Sequence, residues 1–469
     1  MNTLRSMLET YGLRETLGQG YEKLVIDPIR YRKIKTSDST MQRPISKQTK
    51  HLVIGGEPFP GTVCFFTHTY FPNSSGGTER FVYNQAQRIL ETGGRAFIFA
   101  YSVEPRSNYP HLIGGILYRE DVYQGIPVIR FRLAKAFFGG TKSISLADMS
   151  TWEPFFGWMI HHCLPQIIHF AGLNRVNVMA SLCQKYQMPY IVTATDFFPV
   201  CHYSTLIDKD GMICPGSVNG ARCVTHCSCG RAGDLMERHK NAHRILAGAK
   251  AVCVPSDYVA HIFAHEFSGL LLTVIPHGLD RSRQISQQRQ GSVRRYMYAG
   301  SISEAKGVFL LISAFSDMPR ECTLSIFGSG NRFAVSRLKR QIRKNGRVTY
   351  YGLASAERLW SAYENSDCVV VPSLVPETYN FVAHEALQSG CVVVAGDIGV
   401  FPEMIRNGKN GFLYSGGKAV SVGAALKAAM RFSWEDYHQT HFLSIEEEVS
   451  CYHALYHKYA IARGKESVL

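Results

Sequence analysis

The stretch that decides the fold runs from Gly61 to Ser102 and reads GTVCFFTHTYFPNSSGGTERFVYNQAQRILETGGRAFIFAYS. Its first apolar run, over about residues 62–67, predicts a short buried strand, and RAFIFAYS predicts a second one. Between them, a glycine-bearing loop leads into a segment whose apolar residues recur at helical spacing, until Gly93 and Gly94 end it. This strand–loop–helix–strand order is a βαβ unit, so the sequence predicts a parallel sheet.

Apolar runs of strand length alternate with helical patterns along most of the chain, interrupted by one polar stretch without periodicity, RSRQISQQRQGSVRR. At 469 residues the chain is too long for one ordinary core, so we predict an α/β fold with two doubly wound domains. Open α/β sheets bind ligands at the carboxyl ends of their strands, so the cleft between the domains is the expected site. The predicted divisions are an N-terminal extension (1–60), a first Rossmann-like domain (61–281) with a cysteine-rich insertion (about 201–230), a linker (282–294), a second Rossmann-like domain (295–434) and C-terminal helices that pack back on the first domain (435–469).

The chain carries a formal net charge of +14, which favours anionic partners such as nucleotides and lipid phosphates. The most basic segment, Asn331–Arg347, predicts a solvated helix face, and contact with an anionic membrane surface is the alternative. Nucleic acid is not expected as a partner, because zinc-finger spacing, an aromatic RNA-binding signature and a basic region with heptads are all missing. The sequence has no unbroken apolar run of membrane-spanning length and no secretory signal at its N-terminus. We therefore expect a cytoplasmic protein, with the inner face of the membrane as the peripheral alternative.

Glycines and one lysine follow the predicted strands of the second domain. Lys306 stands at the entry to a helix, where the helix N-terminus and a full positive charge together suit a diphosphate. A surface lysine that merely begins a helix is the other interpretation. Gly352 and Leu353 end a strand where a planar base could lie against the backbone. The strand-end residues that we expect to line the site are Gly300, Ser301, Lys306, Gly328, Gly330, Gly352 and Leu353.

Two glutamates follow another predicted strand of this domain, in the segment VPETYNFVAHEALQSG. Glu377 lies in the loop after the strand, Asn380 is a plausible helix N-cap, and Glu385 lies within the helix. Carboxylates accept hydrogen bonds from pairs of hydroxyl groups, so sugar and ribose are natural partners. A surface helix with two unrelated acids is the alternative.

These segments together resemble the retaining nucleotide-sugar glycosyltransferases of family four, the group 1 type. The resemblance rests on the E-x7-E spacing of Glu377 and Glu385 and covers about Val63 to Phe432. The further matching motifs, in order, are SSGGTERF, VPSDYVAHIF…VIPHGLD, AGSISEAKGV, IFGSG, YYGLAS…LWSAYENSDCVVVPS and VVAGDIGVFPEMIRNGKNGFLYSGG. The family implies the GT-B architecture of two facing Rossmann-like domains, with the nucleotide sugar on the second domain and the acceptor on the first. It also implies a final helix that crosses back to the first domain, and EEEVSCYHALYHKYAIA fits that helix.

The resemblance implies roles for individual residues. Glu377 would hold hydroxyls of the donor sugar, Glu385 the ribose hydroxyls, and Lys306 would neutralise the diphosphate. Gly76 and Gly77 would let the first domain's loop approach the donor phosphate without obstruction by a Cβ atom. The residues between the glutamates implied to contact sugar and phosphate are Thr378, Tyr379, Asn380 and Phe381. The leaving phosphate would accept the proton of the incoming hydroxyl, and no cofactor would be required.

The sequence departs from the family pattern at several positions. Ser301 stands where arginine is usual, which removes one expected phosphate clamp. Thr195 and Asp196 stand where a His-Asp pair is frequent, and we keep Asp196 as a catalytic candidate beside Glu377 and Lys306. The remaining departures are His277 in place of a usual asparagine, and Thr378 and Asn380 in place of frequent glycines.

Five cysteines cluster in a glycine-rich segment that follows a strand end of the first domain. Four thiolates around a structural zinc would stabilise such a segment, while free thiols or a disulfide are the alternatives. The candidate zinc ligands are Cys201, Cys214, Cys223, Cys227 and Cys229, with His202 and His226 as alternates. Asp208 and Asp210 lie in a predicted hairpin turn, and turn chemistry explains them better than a metal-binding pair does.

The sequence therefore predicts a retaining glycosyltransferase of the hexosyltransferase type. It would move a sugar from a nucleotide diphosphate to a hydroxyl of a glycan or lipid-linked glycan. A nucleotide-sugar epimerase or hydrolase on the same fold is one alternative. A non-catalytic nucleotide-sugar-binding scaffold is another, and Ser301 and Thr195 are its best support.

Overall fold

The computed structural model describes residues 49–52, 55–102, 104–134, 149–283, 289–343 and 345–462. Most of the predicted N-terminal extension, residues 284–288 of the predicted linker and residues 463–469 lie outside these ranges.

The first domain is built on a ten-stranded sheet with the order β1-β10-β9-β8-β7-β2-β3-β6-β5-β4. Its strands are β1 (Thr49–His51), β2 (Thr62–Thr67), β3 (Arg95–Tyr101), β4 (His111–Ile113), β5 (Ile116–Tyr123), β6 (Ile126–Leu133), β7 (Ile167–Ala171), β8 (Tyr190–Thr193), β9 (Ala251–Val254) and β10 (Leu272–Val274). The helices are α1 (Gly77–Glu91), α2 (Met149–Cys163), α3 (Asn177–Lys185), α4 (Ala232–Gly248) and α5 (Asp257–Glu266). The strand β1 falls inside the predicted extension and pairs in parallel with β10.

The central strand β2 shows why this sheet forms. All six of its residues are buried. Cys64 and Phe66 point into one core cluster, while Val63 and Phe65 point into another on the opposite face of the sheet. A parallel strand covered on both faces reads as a continuous apolar run, which is why this strand was predictable from its sequence.

One edge of the first sheet is antiparallel, which the alternating pattern did not predict. The strand β6 pairs in antiparallel fashion with β5, which pairs likewise with β4. Along β5 only Ile116 and Tyr118 are buried, because one face of the hairpin is open to solvent. Such a half-buried strand has few apolar residues, so the search for apolar runs did not identify it.

The second domain carries a six-stranded, all-parallel sheet with the order β13-β12-β11-β14-β15-β16. Its strands are β11 (Arg295–Ala299), β12 (Thr323–Phe327), β13 (Val348–Gly352), β14 (Cys368–Val371), β15 (Val392–Gly396) and β16 (Gly411–Tyr414). The helices are α6 (Val308–Phe315), α7 (Arg332–Ile342), α8 (Ala356–Glu364), α9 (Phe381–Gln388), α10 (Phe401–Met404) and α11 (Ala419–Met430).

The last helix, α12 (Ile445–Tyr459), returns to the first domain, as predicted. Its buried face, including Tyr452 and Tyr456, belongs to the same core cluster as Val63 and Phe65 of β2. Tyr456 also contacts His169 of β7, with 2.8 Å between the hydroxyl oxygen and Nδ1. The chain thus has the two Rossmann-like domains and the returning helix of the predicted architecture.

Candidate functional site

The two charged residues predicted to bind the ligand meet at the carboxyl ends of β11 and β14. Lys306 Nζ lies 2.6 Å from Glu377 Oε1, and Ser373 Oγ donates a hydrogen bond of 2.5 Å to the same oxygen. Among the described residues, no hydrogen bond or ion pair reaches Glu377 Oε2. The glutamate therefore has one oxygen held by protein groups and one that is not.

The loops that carry these two residues pack against each other through their backbones. Leu374 donates its N–H to the Ala305 carbonyl at 2.8 Å. Gly307 has φ +67°, and a Cβ atom there would lie 1.8 Å from the Pro372 carbonyl oxygen. Only glycine meets both conditions, so Gly307 permits the close approach of Lys306 to Glu377.

The predicted strand-end glycines of β11 and β12 lie against each other. A Cβ atom at Gly328 would lie 1.8 Å from the Gly300 carbonyl oxygen, and one at Gly330 would lie 2.5 Å from the Ile302 carbonyl oxygen. The carbonyl of Ser301, next to Gly300, accepts a hydrogen bond of 2.7 Å from the Tyr298 hydroxyl. The turns at these strand ends are thus closely packed backbone.

The predicted base position lies at the end of β13. Gly352 has φ +76°, and no atom lies within 4 Å of where its Cβ would be. Its carbonyl accepts a hydrogen bond of 2.8 Å from Gly328 N, and the Leu353 side chain is 67% exposed. This edge of the site is therefore open, whereas the edge at Gly307 is closed.

The second glutamate of the pair is held by protein groups on both oxygens. Glu385 is 4% exposed. Its Oε1 forms an ion pair with Arg80, and its Oε2 accepts a hydrogen bond of 2.9 Å from the Tyr363 hydroxyl. Asn380 caps α9 as predicted, since its Oδ1 accepts from Ala383 N at 3.0 Å. The structure therefore brings Arg80 to the carboxylate that was predicted to hold ribose.

The residues between the two glutamates contact the first domain. Thr378 Oγ1 donates to the Thr195 carbonyl at 3.1 Å, and its own carbonyl accepts from Ser256 Oγ at 2.8 Å. The Tyr379 hydroxyl donates a hydrogen bond to the His277 carbonyl at 2.5 Å. The Glu377 loop is therefore docked on the first domain.

The paired glycines of the first domain, which were predicted to approach the donor phosphate, lie beside the start of α9. Gly76 donates its N–H to Glu79 Oε2 at 2.9 Å, and α1 begins at Gly77. A Cβ atom at Gly77 would lie 3.1 Å from the Phe381 ring. The absence of a side chain at this position lets the first domain approach α9.

Asp196 follows Thr195, whose carbonyl contacts the Glu377 loop. Its Oδ1 accepts a hydrogen bond of 2.9 Å from Phe198 N. Burial raises the pKa of Asp196, and the nearby His68 opposes that rise. The structure thus places this catalytic candidate beside the docked loop, in hydrogen-bonded contact with its own turn.

The cysteines of the insertion do not form the predicted zinc site. Among the described residues, no group of three or more His, Cys, Asp or Glu side chains is arranged to hold a metal ion, and none of the five cysteines Cys201, Cys214, Cys223, Cys227 and Cys229 forms a disulfide. Cys214 Sγ donates to the Gly216 carbonyl at 3.1 Å, and burial raises the pKa of that thiol. A hydrogen bond with Cys229, together with burial, raises the pKa of Cys223. Zinc binds thiolates, whereas the raised pKa of Cys214 and of Cys223 favours the protonated thiol at these two positions.

Several residues at the site were not predicted. Ser373 and Tyr363 have no motif that marks them, since a serine at a strand end and a tyrosine in a helix are common. Arg80 lies directly after GGTE in a motif that was recognised, but its partner is in the other domain. Gly399 supports the Glu377 loop from behind, because its Cβ would lie 2.6 Å from Glu377 N. The sequence signal that could have identified Gly399 is its position shortly after the buried strand β15.

None of the helices in the described part of the chain has the length and apolar character needed to cross a membrane.

Comparison with known proteins shows which proteins this chain resembles. A family model described as Glycosyl transferases group 1 matches residues 281–439, which include Lys306, Glu377 and Glu385. The lipopolysaccharide 1,2-N-acetylglucosaminetransferase of Salmonella typhimurium is 24% identical over 227 residues, which make up 40% of this chain and 58% of that protein. The match therefore spans less than two thirds of that relative's length.

Solved structures agree over most of the chain. A sucrose-phosphate synthase from Thermosynechococcus elongatus superposes with a TM-score of 0.57 at 17% identity, covering 85% of this chain and 97% of that one. Anabaena Alr3699/HepE, solved in complex with UDP and glucose, superposes with a TM-score of 0.55 at 16% identity, covering 84% of this chain and 95% of that one. At these identities the likeness concerns the fold. The second domain thus matches the model of the group 1 glycosyltransferases, and the two domains together adopt the GT-B fold.

Proposed function

We propose that this protein is a retaining glycosyltransferase of the hexosyltransferase type. It transfers a sugar from a nucleotide diphosphate to a hydroxyl group of a glycan or of a lipid-linked glycan. The observation that carries the proposal is the contact between Lys306 and Glu377, which leaves Glu377 Oε2 without a protein partner among the described residues.

Each member of this pair has a separate role in the proposed reaction. Lys306 lies at the start of α6, so its charge and the N-terminus of that helix both stabilise the negative charge of a departing diphosphate. Glu377 holds Lys306 through Oε1 and accepts hydroxyl groups of the sugar through Oε2. Gly300, Ser301 and Gly328 directly follow β11 and β12, which pair in parallel, so their backbone lies at the same edge of the sheet.

The reaction balances without a cofactor. The bond between the anomeric carbon and the diphosphate oxygen breaks, and a bond from the acceptor oxygen to the same carbon forms on the same face of the sugar. The acceptor hydroxyl loses its proton to the departing phosphate oxygen. The products are a nucleoside diphosphate and a glycoside, and no electrons are exchanged.

The donor and acceptor classes have different support. The complexes of the HepE neighbour contain UDP with glucose and UDP-glucose, which supports a nucleotide sugar as donor here. The named activity of the Salmonella relative supports a lipopolysaccharide-type glycan as acceptor. The net charge of +14 suits both an anionic donor and a peripheral position at the inner face of the membrane.

The test begins with binding and continues with turnover. The purified protein is screened by thermal shift against UDP, ADP, GDP and TDP and their glucose conjugates. We expect at least one nucleotide to raise Tm, and Lys306→Ala to reduce that shift. Lys339→Ala, which removes an exposed lysine of α7, is the matched control and is expected to leave the shift unchanged.

Turnover is then measured with the donor that binds and a panel of glycan acceptors, and the anomeric configuration of the product is read by NMR. Glu377→Ala is expected to lower kcat by at least about a hundredfold, because removal of one group that stabilises the transition state typically has an effect of that size. Glu357→Ala, an exposed acid on α8, is the control. Near-normal turnover by Glu377→Ala, or an inverted product, would contradict the proposal.

The same assay separates the alternatives. Release of free sugar without acceptor would indicate a hydrolase, and a changed sugar on the nucleotide would indicate an epimerase. Tight nucleotide-sugar binding without turnover on any acceptor would favour the non-catalytic scaffold.

A further inference from the structure

The cysteine-bearing insertion reaches across the cleft and touches the loops of the proposed donor site. We use the name insertion hairpin for residues 206–214. Its Ile207 is completely buried and forms an apolar cluster with Leu374 and Val375 of the second domain. Leu374 and Val375 lie just ahead of Glu377 in the chain, and Ala305, which packs on the same cluster, lies just ahead of Lys306. One side chain of the first domain thus belongs to an apolar cluster that includes residues of both loops that carry the charged pair.

The insertion hairpin has the internal bonds of a rigid element. Its strands meet at an antiparallel bridge between Ile207 and Ile213. Asp208 is 2% exposed, and its Oδ1 accepts hydrogen bonds from Asp210 N at 3.0 Å and Met212 N at 2.9 Å. Cys214 N donates to the Leu206 carbonyl at 2.7 Å. The turn that fixes Ile207 therefore depends on the aspartate that was predicted to act in a turn.

The insertion is also tied firmly to its own domain. Glu266 of α5 accepts hydrogen bonds from Ser217 N at 2.8 Å and Val218 N at 3.2 Å, just beyond the hairpin. His239 of α4 lies 2.9 Å from the same carboxylate. The hairpin is thus attached at its base to α5, whose glutamate α4 also contacts, while its apolar residue contacts the second domain.

From these contacts we infer that the insertion hairpin positions the donor site, and that Ile207 is its positioning residue. Ile207 packs with Leu374 and Val375 in the cluster that Ala305 also joins, so it supports the two loops at the separation where Lys306 and Glu377 meet at 2.6 Å. Because Ile207 belongs to the first domain, the position of the pair depends on contact between the domains as well as on the packing of the two loops against each other. This inference rests on the proposed function for its catalytic consequence, but not for its structural one.

The structural consequence is tested by hydrogen exchange, which needs no substrate. Ile207→Ala is expected to increase amide exchange at least tenfold in residues 303–307 and 373–379, with the rest of the second domain unchanged. Met212→Ala is the matched control, since it shortens a 37% exposed side chain in the same hairpin. Ile207→Val keeps a branched apolar contact and is expected to restore slow exchange. Exchange in Ile207→Ala equal to that in Met212→Ala, or raised equally throughout the protein, would overturn the inference.

The catalytic consequence is tested on the donor that wild-type protein uses. Ile207→Ala is expected to lower kcat at least tenfold with a smaller change in the KM of the acceptor, and Ile207→Val is expected to recover most of that loss. Unchanged kcat in Ile207→Ala would overturn the positioning role. If wild-type protein turns over no donor, the proposed function fails, and the exchange experiment still decides the role of the hairpin.

Discussion

Arg80 of the first domain forms an ion pair with Glu385 of the second, 305 residues further along the chain. The guanidinium group also lies over the Phe381 ring, 4.7 Å from its centroid. The Glu385 carboxylate is 5% exposed and the Arg80 side chain 28%, so the contact is shielded from water on the glutamate side. The two domains therefore meet through a charge pair at the helix that carries the second glutamate.

Removal of Arg80 should destabilise the protein because the buried Glu385 carboxylate loses its ion-pair partner. In Arg80→Ala the Glu385 carboxylate stays buried with only the Tyr363 hydroxyl, and an unsatisfied buried group costs about 1–3 kcal/mol or more when it is charged. We expect urea unfolding to show a loss of at least that size. Arg88→Ala on the same helix removes exposed ion pairs and should cost no more than about 1 kcal/mol. A double variant with Glu385→Gln should recover part of the loss, and strict additivity would contradict the pairing.

Asn380 should tolerate glycine but not alanine. It has φ +67° and also caps α9 through its side chain, so it serves two local functions. Glycine adopts this backbone freely and costs only a few tenths of a kcal/mol as a cap. Alanine loses the cap and is strained, so Asn380→Ala should cost about 1–3 kcal/mol. Thermal unfolding of the two variants provides the measurement, and equal losses would mean that the backbone conformation is not the constraint.

Gly399 should be required for activity because a side chain there would collide with the Glu377 loop, and not only because its backbone has a positive φ. It has φ +59°, and its Cβ would lie 2.6 Å from Glu377 N, so Gly399→Ala displaces the Glu377 loop. Gly408 has φ +73° in the same domain with no atom within 4 Å of its Cβ position. Both alanine variants carry backbone strain of about 1–2 kcal/mol, but only Gly399→Ala should reduce turnover as well, by about tenfold or more. Steady-state kinetics of the two folded variants decides this, and equal turnover would remove Gly399 from the site.

Acid should destabilise the protein partly through His384, which lies between the two glutamates. Burial lowers the pKa of His384 to about 3, from an ordinary value of 6.5. Below pH 6.5 His384 is protonated in the unfolded chain but stays neutral in the folded protein. Its contribution to the free energy of unfolding is therefore complete above pH 6.5 and is lost as pH falls toward about 3. The loss is at most about 1.4 kcal/mol for each pH unit.

The variant His384→Gln should therefore flatten the acid side of a plot of unfolding free energy against pH. The slope between pH 6.5 and 4 is compared with that of wild type, each curve being referred to its own value at pH 8. Some slope should remain, because burial also lowers the pKa of His169 to about 3. Identical slopes in the two proteins would show that His384 titrates alike in the folded and unfolded states.

Local patterns along the chain determined the architecture. Strands such as β2 and β14 are buried on both faces and appear as apolar runs, and the helices between them appear as a second periodicity, so the α/β class was predictable. The returning helix was expected from the family resemblance. The half-exposed β5 was missed because its pattern is weak. The same reasoning brought Lys306 and Glu377 to one edge, since parallel strands place their carboxyl ends together.

Contacts between residues far apart in the chain were decided only by the tertiary structure. The sequence placed Glu385 and Arg80 in separate domains, and no spacing rule states that they meet. The cysteine spacing suggested zinc, but which way each sulfur points depends on the turns around it, and these direct the thiols to backbone carbonyls. The insertion was predicted as a cysteine-rich part of the first domain, and only packing brought its Ile207 against the second domain. Periodicity and strand ends are local properties that the sequence by itself determines, while the partner of a buried charge or of an apolar side chain depends on how the two domains pack together.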